Sequence, residues 1–134
     1  MQQAAFPIRK ECPPGACDCE RDALLADPQA DLSILMLTKE EEKRLLERIE
    51  NAASYAELQR IGMRLEQQLG IALSIAPGGN EVRTVRGLSI QLSERRGLCR
   101  KTRQSIPAAV RRCLENHPDI IYAILNAHDL LGGA

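Results

Sequence analysis

Two capping boxes constrain this chain more than any other feature. In Thr38-Lys-Glu-Glu41 and again in Ser54-Tyr-Ala-Glu57, a hydroxyl residue precedes a glutamate by three positions. In that pattern the hydroxyl accepts a backbone N–H of the first turn while the glutamate reaches back to the cap. Behind the first box Leu45, Leu46 and Ile49 recur at helical spacing. Behind the second run Leu58, Ile61, Leu65 and Leu69, ending at Gly70, a natural helix stop. Two helices joined this tightly predict an αα-hairpin over residues 39–69.

The flanking segments complete an α+β pattern. Asp31–Leu37 is a short apolar run and reads as a buried strand at 31–37. Ile71, Leu73 and Ile75 alternate with smaller residues, as do Leu88, Ile90 and Leu92, and Pro77-Gly-Gly-Asn80 supplies turn chemistry between them. Residues 71–92 are therefore expected to form a β-hairpin. Ser105-Ile-Pro107 reads as a helix opening, with one helix at 106–115 and another at 118–131. The expected fold is a small, mainly antiparallel sheet covered by the αα-hairpin and the two C-terminal helices. Residues 1–30, broken by prolines, read as a Cys/Pro-rich appendage to a single α+β domain at 31–134.

Composition excludes several functions. With three aromatic residues and no tryptophan, the chain lacks the rings that a single-stranded nucleic-acid platform stacks on bases. No apolar run approaches a membrane span and no basic-then-apolar leader opens the sequence, so no membrane partner and a cytoplasmic location are expected.

Three of the five cysteines lie in Cys12-Pro-Pro-Gly-Ala-Cys17-Asp-Cys19. Their neighbours are polar or turn-forming, so core packing does not account for them. Thiolates converging from one short loop are soft ligands for zinc or an iron–sulfur cluster. A closed tetrahedral site needs a fourth donor, and Cys99, in the loop Gly97-Leu-Cys-Arg100, is the best candidate. Cys113 falls on an apolar helix face and reads as core, and His117 as a capping or solvated residue. Thiol–disulfide chemistry and idle thiols are the competing readings of the triplet.

The chain is formally neutral, but residues 1–70 carry an acidic surplus and the rest a basic one. Between Arg83 and Arg112 nine cations face one acid, Glu94. Arg83, Arg86, Arg95, Arg96, Arg100, Lys101 and Arg103 are candidate contacts for an anionic partner, either nucleic acid or a phosphorylated ligand. The alternative is internal pairing with Glu40, Glu41, Glu42 or Glu47 of the acidic helix. No nucleophile–base pair can be assembled: His128 sits on an inner helix face, and no Gly-rich phosphate loop precedes a helix. The expected function is a non-enzymatic metal- or iron–sulfur-binding regulatory or accessory protein. A nucleic-acid- or phosphate-binding module and a protein–protein interaction domain are the alternatives.

Overall fold

The computed structural model of the chain describes residues 8–78 and 87–132. Within them the fold is α+β, with helices α1 (Arg21–Ala26), α2 (Lys39–Glu50), α3 (Tyr55–Leu69), α4 (Arg100–Asn116) and α5 (Pro118–Gly132), and strands β1 (Leu73–Pro77) and β2 (Leu88–Leu92). Both capping boxes form. Thr38 accepts from the Glu41 N–H at 3.3 Å and Ser54 from the Glu57 N–H at 3.1 Å. The Glu57 carboxylate in turn accepts the Ala53 N–H at 3.1 Å. Satisfying these otherwise orphaned donors starts α2 and α3 where expected.

The strands pair antiparallel, with Leu73 opposite Leu92 and Ile75 opposite Ile90. Beyond Leu88 the ladder continues through the Gly78 N–H, which donates to the Gly87 carbonyl. The hairpin tip, with Arg83 and Arg86, lies outside the described residues.

Two sequence expectations are corrected. Residues 31–37 do not form a strand: Ser33–Met36 is a 3₁₀ turn. Asp31 begins it by accepting the Ser33 N–H at 3.0 Å, and the backbone closes through Leu35 N–H to Leu32 and Leu37 N–H to Ile34. A short apolar run has no period that separates a strand from a buried turn; here Ile34 and Leu35 are wholly buried. The fourth helix starts at Arg100 rather than 106, with Pro107 inside it. Its first inward residue is Thr102, 3% exposed and bonded to Glu42 at 3.0 Å, so the apolar stripe begins with a polar side chain and was invisible to hydrophobic spacing.

α2 lies along α4, α5 packs on β1, and α3 reaches both β1 and α5. The main core joins Leu58 and Ile61 of α3 to Ile106, Val110 and Leu114 of α4 and to Ile120, Ile121 and Ile124 of α5. Leu65 is buried without joining that cluster. A second cluster, Leu24, Ile34, Leu35, Ile71 and Leu98, lies beneath the N-terminal segment, with Ile8 and Ala30 packed against it. Through Leu24, Ile8 and Ala30 the segment read as an appendage contributes to that cluster. Among the described residues no helix is long and apolar enough to cross a membrane.

Candidate metal centre

Pro13 and Gly15 turn the chain back on itself: the Ala16 N–H donates to the Pro13 carbonyl at 3.0 Å, and Gly15 takes φ +76°. This brings Cys17 and Cys19 beside Cys12. The fourth thiol arrives from far along the sequence. Gly97, at φ +95°, bends the loop after β2 so that Cys99 becomes the N-cap of α4. The four sulfurs of Cys12, Cys17, Cys19 and Cys99 lie within 4.8 Å of one another, with Cys12–Cys99 at 3.6 Å and Cys12–Cys19 at 3.9 Å. A tetrahedral ion with metal–sulfur bonds of about 2.3 Å requires sulfur–sulfur edges of about 3.8 Å. The four cysteines are close enough to hold a metal ion.

The surroundings act on the thiols in different ways. Cys99 does not cap its own helix; instead the Arg100 N–H, in the first turn of α4, donates to Cys17 Sγ at 3.3 Å. A helix N-terminus carries exposed donors and partial positive charge, which favours a thiolate. Burial raises the Cys17 thiol, but this bond and those from Cys19 outweigh it and bring it down to about 7. Burial pushes the Cys99 thiol well up, against the opposing charge of Arg9, and burial also raises Cys12.

Arg9 was not singled out by its sequence context. It is 9% exposed, donates from Nη1 to the Gly97 carbonyl at 2.6 Å and from Nη2 to Cys19 Sγ at 3.3 Å, and leaves Nε without a partner. Its own backbone is held as well, by its N–H to the Leu35 carbonyl and by Arg21 Nε to its carbonyl, both at 2.6 Å.

The other candidates lie elsewhere. Cys113 is wholly buried in the main core and donates to the Ala52 carbonyl at 3.3 Å, the packing role expected of it. His117 Nδ1 sits 3.1 Å from the Cys113 carbonyl at the end of α4. His128 Nδ1 meets the Ile124 carbonyl of its own helix at 3.1 Å.

The basic segment meets the chain's own acids, but not the ones expected. Arg95 donates to the Leu69 carbonyl and faces Asp31 at 3.6 Å, and Arg96 lies within 3.7 Å of Glu20 and Asp27. Arg103 and Arg100 both reach Asp18, and Arg112 pairs with Glu50 at 2.7 Å. Glu42 is engaged by Thr102 rather than by a cation. Apart from Glu50, the partners are N-terminal acids because that segment folds over the start of α4, while Glu40 and Glu41 in the first turn of α2 stay exposed. A cleft of about 690 Å³ beside Cys19 is lined by Asp18, Glu20 and Glu94 as well as Arg95, Arg96 and Arg103, so it presents no field of one sign. Lys101 is exposed.

Comparison of the chain with protein families, curated proteins and solved structures gave no match.

Proposed function

We propose that Cys12, Cys17, Cys19 and Cys99 bind one zinc ion in closed tetrahedral coordination, and that the ion staples the N-terminal segment to the start of α4 in a non-enzymatic accessory or regulatory protein. The observation that carries this reading is the convergence of four sulfurs within 4.8 Å, with edges of 3.6 and 3.9 Å, which suits a single ion. An iron–sulfur cluster inserts its own irons and sulfides between the cysteines and holds them farther apart. Four protein thiolates also fill a tetrahedral ion's coordination and leave no position for a reacting water, the arrangement of structural rather than catalytic zinc. That supports a role outside catalysis.

The staple acts over a long loop. It ties residues 12–19 to residue 99, and closing so long a stretch of chain removes much of the freedom of the unfolded state. Metal binding is then coupled to the packing of Leu24, Ile34, Leu35 and Leu98 beneath the site. The main core, which includes none of the four ligands, is expected to keep its helices when the metal is removed.

Elemental analysis of protein purified without oxygen tests the reading. One zinc per chain is expected, lost on Cys17→Ser or Cys99→Ser and retained on Cys113→Ser. A metal-free protein whose four site thiols all titrate freely sinks it.

A further inference from the structure

We infer that Arg9 is the positioning residue of the metal centre: its guanidinium clamps the Cys99 loop to the Cys12–Cys19 segment and supplies the buried positive charge that a tetrathiolate-bound divalent ion requires. This rests on the zinc reading above and names the residue that tunes it.

Arg9 has the environment of a residue held for its charge. A guanidinium does not lose its proton in a protein, and this one is 9% exposed. Among the described residues no carboxylate lies within ion-pair distance of it. The nearby acids are engaged elsewhere, Asp18 with Arg103 and Glu20 with Arg96. An uncompensated buried cation is strongly destabilising, so the counter-charge has to come from what Arg9 does touch, which is the thiol set through Cys19 Sγ at 3.3 Å.

The charge arithmetic runs the same way from the metal's side. Four thiolates around a divalent ion sum to two negative charges, set directly beside the apolar cluster of Leu24, Ile34 and Leu98. Arg9 halves that excess, and the N-terminal end of α4 reduces it further. The fork geometry adds position to charge. One terminal nitrogen holds the Gly97 carbonyl, two residues before Cys99, and the other holds Cys19. The two parts of the ligand set that lie far apart in sequence are therefore joined through a single planar group. Groups that contact metal ligands in this way typically govern affinity by about 10–100-fold.

The test uses the full chain, its zinc affinity measured by competition with a chromophoric chelator at fixed pH, and its cobalt(II) absorption spectrum. Arg9→Met is expected to weaken zinc binding about 10–100-fold and to shift the sulfur-to-cobalt charge-transfer band, with the helical circular dichroism retained. Arg9→Lys keeps the charge but not the planar fork, and its affinity is expected to fall between the two. Arg9→Met binding zinc as tightly as the unmodified chain overturns the inference while leaving the zinc reading intact. Arg9→Lys performing no better than Arg9→Met overturns the charge role. Should Arg9→Met fail to fold, Arg9→Lys decides alone: weakened binding in a folded protein supports the clamp, and undiminished binding overturns it. An unmodified chain that takes up no zinc overturns both readings.

Discussion

Replacing Gly97 by alanine should damage the fold and the metal centre together, and the structure sets the size of the effect. Gly97 takes φ +95°, a backbone conformation that costs a residue with a side chain about 1–2 kcal/mol. A Cβ there would lie 2.6 Å from Cγ2 of Ile34 and 3.0 Å from Cδ2 of Leu24. Those side chains are 0% and 2% exposed, so neither can step aside into water, and forced overpacking adds about 1–3 kcal/mol. The sum, about 2–5 kcal/mol, is a large part of a typical domain's total stability of about 5–15 kcal/mol. For a chain of this size it corresponds to a fall in Tm of roughly 7–18 °C. Zinc affinity should fall as well, because the Gly97 carbonyl is the acceptor for Arg9 and Cys99 lies two residues on. Gly15→Ala is the internal control: its φ is +76° but its Cβ would meet nothing within 4 Å. It carries the backbone term alone and should cost about 1–2 kcal/mol. Thermal unfolding of both variants at one fixed zinc concentration separates strain from collision. If Gly97→Ala melts no lower than Gly15→Ala, the close packing of this loop on Ile34 is refuted.

Two further outcomes follow from the core and from the thiols. Val110→Asp places a carboxylate where the side chain is wholly buried; desolvation without a partner should unfold the domain, whereas Arg64→Asp, on the exposed face of α3, should change the stability measured by urea unfolding by no more than about 0.5 kcal/mol. Zinc affinity should fall as pH is lowered from 8 to 6. Burial already holds Cys12 and Cys99 protonated in the metal-free fold, and the Cys17 thiol, at about 7, takes up its proton within that window. The metal must therefore displace about one more proton at the acid end, and chelator competition across the range should give a steeper loss below pH 7; an affinity independent of pH contradicts thiolate ligation.

The starts of α2 and α3 were legible because their signals are local, whereas their pairing as a hairpin was not: α2 lies along α4 rather than along α3. Thr38 with Glu41 and Ser54 with Glu57 act within one turn, and hydroxyl-to-amide bonds there depend on nothing distant. The cysteine triplet was legible for the same reason, since polar neighbours set it apart from a core. Cys99 could be proposed as the fourth ligand because it falls in a loop, whereas Cys113 falls on an apolar helix face. What escaped was decided by contacts across the fold. Arg9 sits between Ile8 and Lys10 with nothing to mark it as buried, and its acceptor Gly97 lies 88 residues away. The apolar run around Ile34 satisfied a strand pattern but closes as a 3₁₀ turn, begun by Asp31 and buried in one cluster with Leu24 and Leu98. The basic segment is an excess of charge in the sequence. Its partners Asp18, Glu20, Asp27 and Asp31 were missed because N-terminal packing rather than helix patterning brings them there.

The coordination shell itself gives the most direct test of the central claim. X-ray absorption fine structure recorded at the zinc edge on the full chain loaded with one equivalent should return four sulfur scatterers at about 2.3 Å and no lighter neighbour in the first shell. A shell containing nitrogen or oxygen, or one with fewer than four sulfurs, would contradict the assignment of Cys12, Cys17, Cys19 and Cys99 as a closed set of ligands.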